Sequence, residues 1–247
     1  MWIKKKTVFC VLALILSVVV AVICVSLNGK KDNQSPEINS KVVMQKLKNK
    51  TILIDAGHGG FDAGASGNGV EEKKINLEVA LKLRDIISEN GGKVIMTRET
   101  DCSTADENRK KGTSAKISDL QRRRAMVDES GANLFISIHM NKFEQSVYKG
   151  AQVFYAENSE ASKMLGESIQ HAFIRVMNDG NERVAKCSDG SIFILKKANV
   201  PSVVAECGFL SNPEEAANLQ KEEYQKKIAT AIYEGICEYI DKTENQK

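Results

Sequence analysis

The sequence predicts an α/β domain: a mostly parallel central sheet with helices on both faces. Three observations carry the prediction. Short, apolar, β-branched runs recur along the chain and read as buried strands. Between them lie longer stretches with apolar residues at helical spacing, and strands alternating with helices build parallel sheets. The right-handed crossover rule then distributes the helices over both faces. Third, the polar residues that stand out chemically fall at the carboxyl ends of strands, where this class of sheet binds its ligands.

The 247 residues are 42% hydrophobic and 27% charged, an ordinary globular composition with room for one large domain. The net charge of +3 gives no strong basic field, so nucleic acid is not expected as a partner. The chain opens with MWIKKK and then 21 uncharged residues, 7 to 27. A bilayer-spanning helix takes roughly 20 residues. Lysines 4 to 6 hold its start in the cytoplasm, so the remainder is expected to be exported. The rival is a cleaved signal peptide, but the apolar run is long for one and Cys24-Val25-Ser26 is a poor cleavage site. The reading is a signal-anchor or signal peptide over residues 1–27 and a polar, lysine-rich linker over 28–50. A single catalytic domain follows over 51–242. Six cysteines without C-x-x-C spacing permit disulfides and demand none.

Within the domain, TILIDAG (51–57) is the first strand. NLEVALKLRDIISENGG (76–92) is a helix closed by Gly91. KVIMTR is a strand, followed by a long polar stretch over 99–116 of the kind that is functional or mobile. ISDLQRRRAMVDESG is a helix, NLFISIHMN and GAQVFYA are strands, and EASKMLGESIQHAFIRVM is a helix. SIFIL (191–195) reads as a further short strand, PSVVAECGF as another, and KKIATAIYEGICEYI as the closing helix.

The glycine-rich loop ILIDAGHGGFDAGASG (52–67) raises the question of phosphate binding. The dinucleotide pattern fails at Asp62, and the mononucleotide pattern has Ala65 where its lysine belongs. Another role is needed for His58, which sits among those glycines. His58, His139 and Glu206 each follow or end a predicted strand and would share one rim if those strands are parallel neighbours. A lone strand-end histidine is usually structural. Here two of three histidines occupy equivalent positions, and the third, His171, reads as an ordinary helix residue. Two imidazoles and a carboxylate are a zinc donor set, with one position left for water. Glu71 and Glu72 at the start of the first helix both suit the carboxylate, and periodicity does not choose between them. Asp55 and Asp62 are further candidates, Asp55 being read as a strand-end capping acid. Glu206 is then the general base for a metal-activated water. Strand alternation turns its neighbour Cys207 away from the site.

Five blocks in order, IDAGHGG, EKKINLEVALKL, MTRETD, SIHMN and AECGFLSNPEEA, resemble the zinc-dependent N-acetylmuramoyl-L-alanine amidase family over residues 51 to 240. The apolar N-terminal segment, GAQVFY and YQKKIATAIYEGI resemble its spore-cortex, germination-specific members of CwlD type. The resemblance implies zinc ligands at His58, Glu72 and His139, and the catalytic glutamate at Glu206. It also implies Zn2+ as cofactor and peptidoglycan as substrate, cleaved between N-acetylmuramic acid and L-alanine, with a role in forming muramic-δ-lactam beside a muramic acid deacetylase. Ala56 stands where many members have proline, and Lys74 where aspartate is common; neither is expected to disturb the metal site. Membrane attachment through the N-terminal segment is expected, on the outer face of the cytoplasmic membrane or in the wall, in the forespore cortex if the resemblance holds. The sequence carries no wall-binding repeat, so placement or activation is expected to depend on the anchor or on an exported protein partner. The rivals are a zinc carboxypeptidase and a wall-binding protein with a decayed site; the five blocks, and the presence of all four carried residues, weigh against them.

Overall fold

The structure, a computed structural model, describes residues 47–157 and 159–245. The expected membrane or signal segment and all but the last residues of the expected linker lie outside the described residues. No helix among the described residues is long and apolar enough to cross a membrane.

Strand β1 (Thr51–Ala56) leads through a small hairpin, β2 (Ser66–Gly67) and β3 (Val70–Glu71), into helix α1 (Glu72–Glu89). Then follow β4 (Lys93–Met96), α2 (Ala115–Glu129), β5 (Leu134–Asn141), β6 (Gln152–Tyr155) and α3 (Glu160–Met177). The chain closes with β7 (Lys186–Cys187), a 3-10 turn (Phe193–Leu195), β8 (Ser202–Phe209), α4 (Pro213–Leu219) and α5 (Glu222–Glu244). The six-stranded sheet has the order β4-β1-β5-β8-β6-β7. Its first four strands are mutually parallel, and β6 runs antiparallel to β8.

Strand alternation splits the core in two. Ile52, Ile54, Ile136, Ile138, Val203 and Ala205 face helices α1, α3 and α5, whose Leu83, Phe173 and Ile232 are fully buried with them. Leu53, Phe135 and Val204 face the other way, against Val127 of α2 and Ile194 and Leu195 of the 3-10 turn. Helices therefore cover both faces, as the sequence pattern requires. Leu47 is fully buried in the first cluster, so chain packing already begins inside the polar segment preceding β1. A lysine-rich composition hides a single anchoring leucine.

One predicted strand is not a strand. SIFIL forms the 3-10 turn, with Leu195 N–H bonding Ile192 O and Lys196 N–H bonding Phe193 O. Five apolar residues between turns carry no period that separates a strand from a turn of helix. Its inward residues cap the second core, and its outward residues border the cleft described below. Helix α4 was not anticipated, although Asn212-Pro213 is a start signal: Asn212 accepts from Glu214 N–H and Glu215 N–H, and Pro213 needs no donor partner in the first turn.

Candidate metal and catalytic site

The second face of β1, β5 and β8 changes from apolar to polar as the strands end. Two residues beyond Leu53, Phe135 and Val204 stand Asp55, Ser137 and Glu206, and a further two bring His139 on β5. His139 and Glu206 are register partners across the parallel β5–β8 pair. Cys207, next in the strand, is buried in the opposite core cluster, so it offers no ligand.

His58 reaches the same place from the loop after β1. Its backbone is left-handed, φ 61°, an uncommon conformation for a side chain-bearing residue. Two arginines hold it there. Arg98 Nε donates to His58 O at 2.7 Å, and Arg123 Nη2 donates to the same oxygen at 2.5 Å. Both also bond Ala56 O, and Arg98 Nη2 bonds Gly57 O at 3.0 Å. Asp55 is not a capping acid. It is fully buried in an ion pair with Arg123 at 2.5 Å and accepts from Ser137 and Thr97. Burial pushes its carboxyl up, but Arg123, together with His139 and the hydroxyls, brings it down to about 2. Asp119, one helical turn before Arg123 in α2, closes the pair from the other side at 2.6 Å.

Glu72 is the first residue of α1 and is buried, whereas Glu71 is exposed. One carboxylate oxygen of Glu72 meets His139 Nδ1 at 2.8 Å, and the other meets His58 Nε2 at 3.2 Å. Backbone N–H groups of Ala65 and Met140 and the amide of Asn76 donate to it as well. Burial alone would raise the Glu72 carboxyl, but hydrogen bonds from His139 and His58 hold it well below the usual carboxylate range. Burial would lower His139, yet Glu72 pushes it up to about 9. One donor atom each from His58, Glu72 and His139 lies within 4.8 Å of the others. This is the arrangement of two imidazoles and a carboxylate that a catalytic zinc takes, so the donor set fits a divalent metal. Asp62 is not in this group; it bonds the far edge of the His58 ring, at Nδ1.

Two of the loop glycines, Gly57 and Gly64, leave room for the site's own side chains. A Cβ at Gly57 would run into the His139 ring, and one at Gly64 would lie 2.5 Å from Glu72 Oε2 and 2.7 Å from His58 Cδ2. Glu206 differs from Glu72: its Oε2 is buried without a hydrogen-bond partner among the described residues. Burial, reinforced by the nearby Glu72 charge and opposed by His139, raises its carboxyl to about 7. Glu206, His58 and His139 border one cleft of about 290 Å³, whose opposite wall includes Lys116 and Leu120 of α2 and Phe193 of the 3-10 turn. A carboxyl raised toward neutrality beside such a donor set can take and return a proton.

The sequence reading brought His58, Glu72, His139 and Glu206 into one place, and they are together. It did not single out Arg98 or Arg123. The available signal was an aspartate at the end of a strand buried on both faces, which requires a cationic partner.

The profile of the N-acetylmuramoyl-L-alanine amidase family matches residues 52–238. The germination-specific N-acetylmuramoyl-L-alanine amidase of Bacillus subtilis is 40% identical over 198 residues, covering 78% of this chain and 81% of that protein. The structure of the CwlD amidase of Clostridioides difficile, solved in complex with the GerS lipoprotein, superposes with a TM-score of 0.75 at 48% identity. That match covers 78% of this chain and 99% of the other. The catalytic domain of CwlV, the amidase of Bacillus (Paenibacillus) polymyxa, superposes with a TM-score of 0.66 at 30% identity, over 78% and 98%.

Proposed function

The chain belongs to the N-acetylmuramoyl-L-alanine amidase family and is a peptidoglycan hydrolase, and from that premise we propose a zinc-dependent mechanism with Glu206 as its proton carrier. The observation that carries it is the meeting of His58, Glu72 and His139 beside the unpartnered Glu206 carboxylate. His58, Glu72 and His139 would hold the metal. When bound, zinc supplies Lewis-acid polarisation of the scissile carbonyl and lowers the pKa of water.

The chain's own groups do the rest. Glu206 takes a proton from the attacking water as the water oxygen bonds the lactyl carbonyl carbon of N-acetylmuramic acid. It returns that proton to the alanine nitrogen as the C–N bond breaks, leaving a lactyl carboxyl and a free peptide amine. Its raised pKa suits both halves of the cycle near neutrality. Arg98 and Arg123 fix the loop that carries His58, and the donors around Glu72 keep that carboxylate ionised and aimed.

The biological setting in this proposal is the spore cortex, supported by likeness to the germination-specific amidase and to CwlD. Removing the stem peptide exposes the lactyl carboxyl that muramic-δ-lactam formation requires, once a deacetylase frees the neighbouring amine. Residues 1–27 would export the domain and tether it to the membrane. An exported lipoprotein, by analogy with the CwlD complex, would place or activate it.

The test measures metal content and stem-peptide release from muropeptides by mass spectrometry on residues 28–247. The native chain is compared with His139→Ala and Glu206→Ala. About one zinc per chain, lost in the first variant and kept in the second, with release by the native chain alone, is the expected result. Release by Glu206→Ala at the native rate would remove Glu206 from the mechanism, and release by the metal-free native chain would remove zinc.

A further inference from the structure

The geometry points to Asp62 as the positioning residue of the metal centre, fixing which nitrogen of His58 faces the metal. The inference rests on the metal reading above. Asp62 Oδ2 lies 2.9 Å from His58 Nδ1, while His58 Nε2 faces Glu72 at 3.2 Å. The two nitrogens sit on different edges of the imidazole, so Asp62 cannot share the metal with Glu72. It instead accepts the Nδ1 proton, so the nitrogen offered to a metal is Nε2, whose contact with Glu72 in the metal-free site would give way to the metal. A carboxylate behind a ligating histidine sets the tautomer, holds the ring and makes the donor nitrogen more basic.

The carboxylate is itself pre-placed. Asp62 and Gly59 exchange two backbone hydrogen bonds, Gly59 N–H to Asp62 O at 2.9 Å and Asp62 N–H to Gly59 O at 3.2 Å. This short bridge folds the loop back, so the fourth residue after His58 returns to its ring. Asp62 Oδ1 accepts from Gly64 N–H at 3.2 Å, which locks the carboxylate's rotation. Lys116 Nζ lies 3.4 Å from the same oxygen that meets His58, supplying a counter-charge from the α2 side of the cleft. His139 has no carboxylate in the equivalent place; its Nδ1 already faces Glu72 and its far edge packs on Gly57. Of the two imidazoles, His58 is therefore the one whose orientation depends on a separate acid.

The experiment titrates zinc into the metal-free native protein, Asp62→Asn and Asp62→Ala against a chromophoric chelator. Side-chain 15N NMR reads the His58 tautomer, and thermal unfolding of the metal-free forms runs in parallel. The expected result is an Nδ1–H tautomer in the zinc-loaded native chain and weaker zinc binding in both variants. The loss should be about tenfold for asparagine, which keeps the acceptor and loses the charge, and nearer a hundredfold for alanine. Unfolding temperatures should stay close to native. Native-like affinity in Asp62→Asn and Asp62→Ala, an Nε2–H tautomer, or an affinity loss matched by lost apo stability would each overturn the inference. If the native chain binds no zinc, the metal reading falls and takes this one with it; if it binds zinc and the variants do too, only this one falls.

Discussion

Replacing Gly57 by alanine tests whether the position of His139 is set by close packing. Gly57 is outside the left-handed region, so alanine brings no backbone strain there. Its peptide is tied down on both sides: its N–H bonds Ile138 O, and its carbonyl accepts from Asn76 and Arg98. The backbone cannot easily retreat, and the added methyl must displace the imidazole. It would lie 2.8 Å from His139 Cδ2 and closer still to Cε1 and Nε2. Ordinary carbon contacts are about 3.5–4.0 Å, so the ring has to move by roughly 1 Å. A move of that size breaks the 2.8 Å approach of His139 Nδ1 to Glu72. Misplacing a reacting group by about 1 Å can cost about a hundredfold in rate. The expected outcome is a fall of that order in kcat/KM on muropeptides, with weakened zinc retention and a still-folded domain by circular dichroism. Activity within threefold of native, with zinc retained, would refute the argument, because the ring would then tolerate the displacement.

Arg123→Met should cost about 3–5 kcal/mol, since it leaves the buried Asp55 and Asp119 carboxylates facing each other without their guanidinium. Urea unfolding with an unchanged m-value checks it; a loss below about 1 kcal/mol would contradict the ion-pair account. Acid should act through the same cluster. Asp55 titrates at about 2 in the fold against an ordinary 3.8, so folding favours its ionised form. The resulting stabilisation, about 2 kcal/mol, is complete above the ordinary value and is lost as pH falls through about 2. Asp55→Asn should flatten that limb of stability against pH in chemical denaturation; an unchanged limb would assign it to other carboxylates.

The strands and the long helices were legible because burial imposes a period on sequence. TILID and SVVA are apolar on both sides, and IATAIYEGICEYI repeats at helical spacing. Two of the rim residues were legible because strand parity is rigid: once Phe135 and Val204 face one core, His139 and Glu206 must follow on that face. The choice among Glu71, Glu72, Asp55 and Asp62 was not legible from period, since all four crowd a short loop-rich stretch. The start of α1 buries Glu72 against both imidazoles and leaves Glu71 exposed. The arginine clamp was hidden for a different reason. QRRRAM reads as a solvated helix face, and only a residue 68 positions away, Asp55, shows that Arg123 points inward. The reversal of β6 was also beyond a pattern of alternating elements, although no helix separates it from β5 and a parallel return usually needs one.

Two glutamates reach the same rim and are given opposite characters by their surroundings. Glu72 receives two backbone N–H groups, an amide and two imidazoles, and stays ionised well below the usual range. Glu206, one strand over, receives no donor on Oε2 and rises to about 7. The first environment suits a ligand, which must be an anion at every working pH. The second suits a proton carrier, which must change state within each turnover. The difference originates in the backbone. Glu72 begins a helix behind a hairpin and opposite the end of β5, so free N–H groups surround it. Glu206 lies in mid-strand, where the neighbouring N–H groups are already spent on β5 and β6. The sheet and the helix start thus give two chemically similar side chains opposite protonation behaviour.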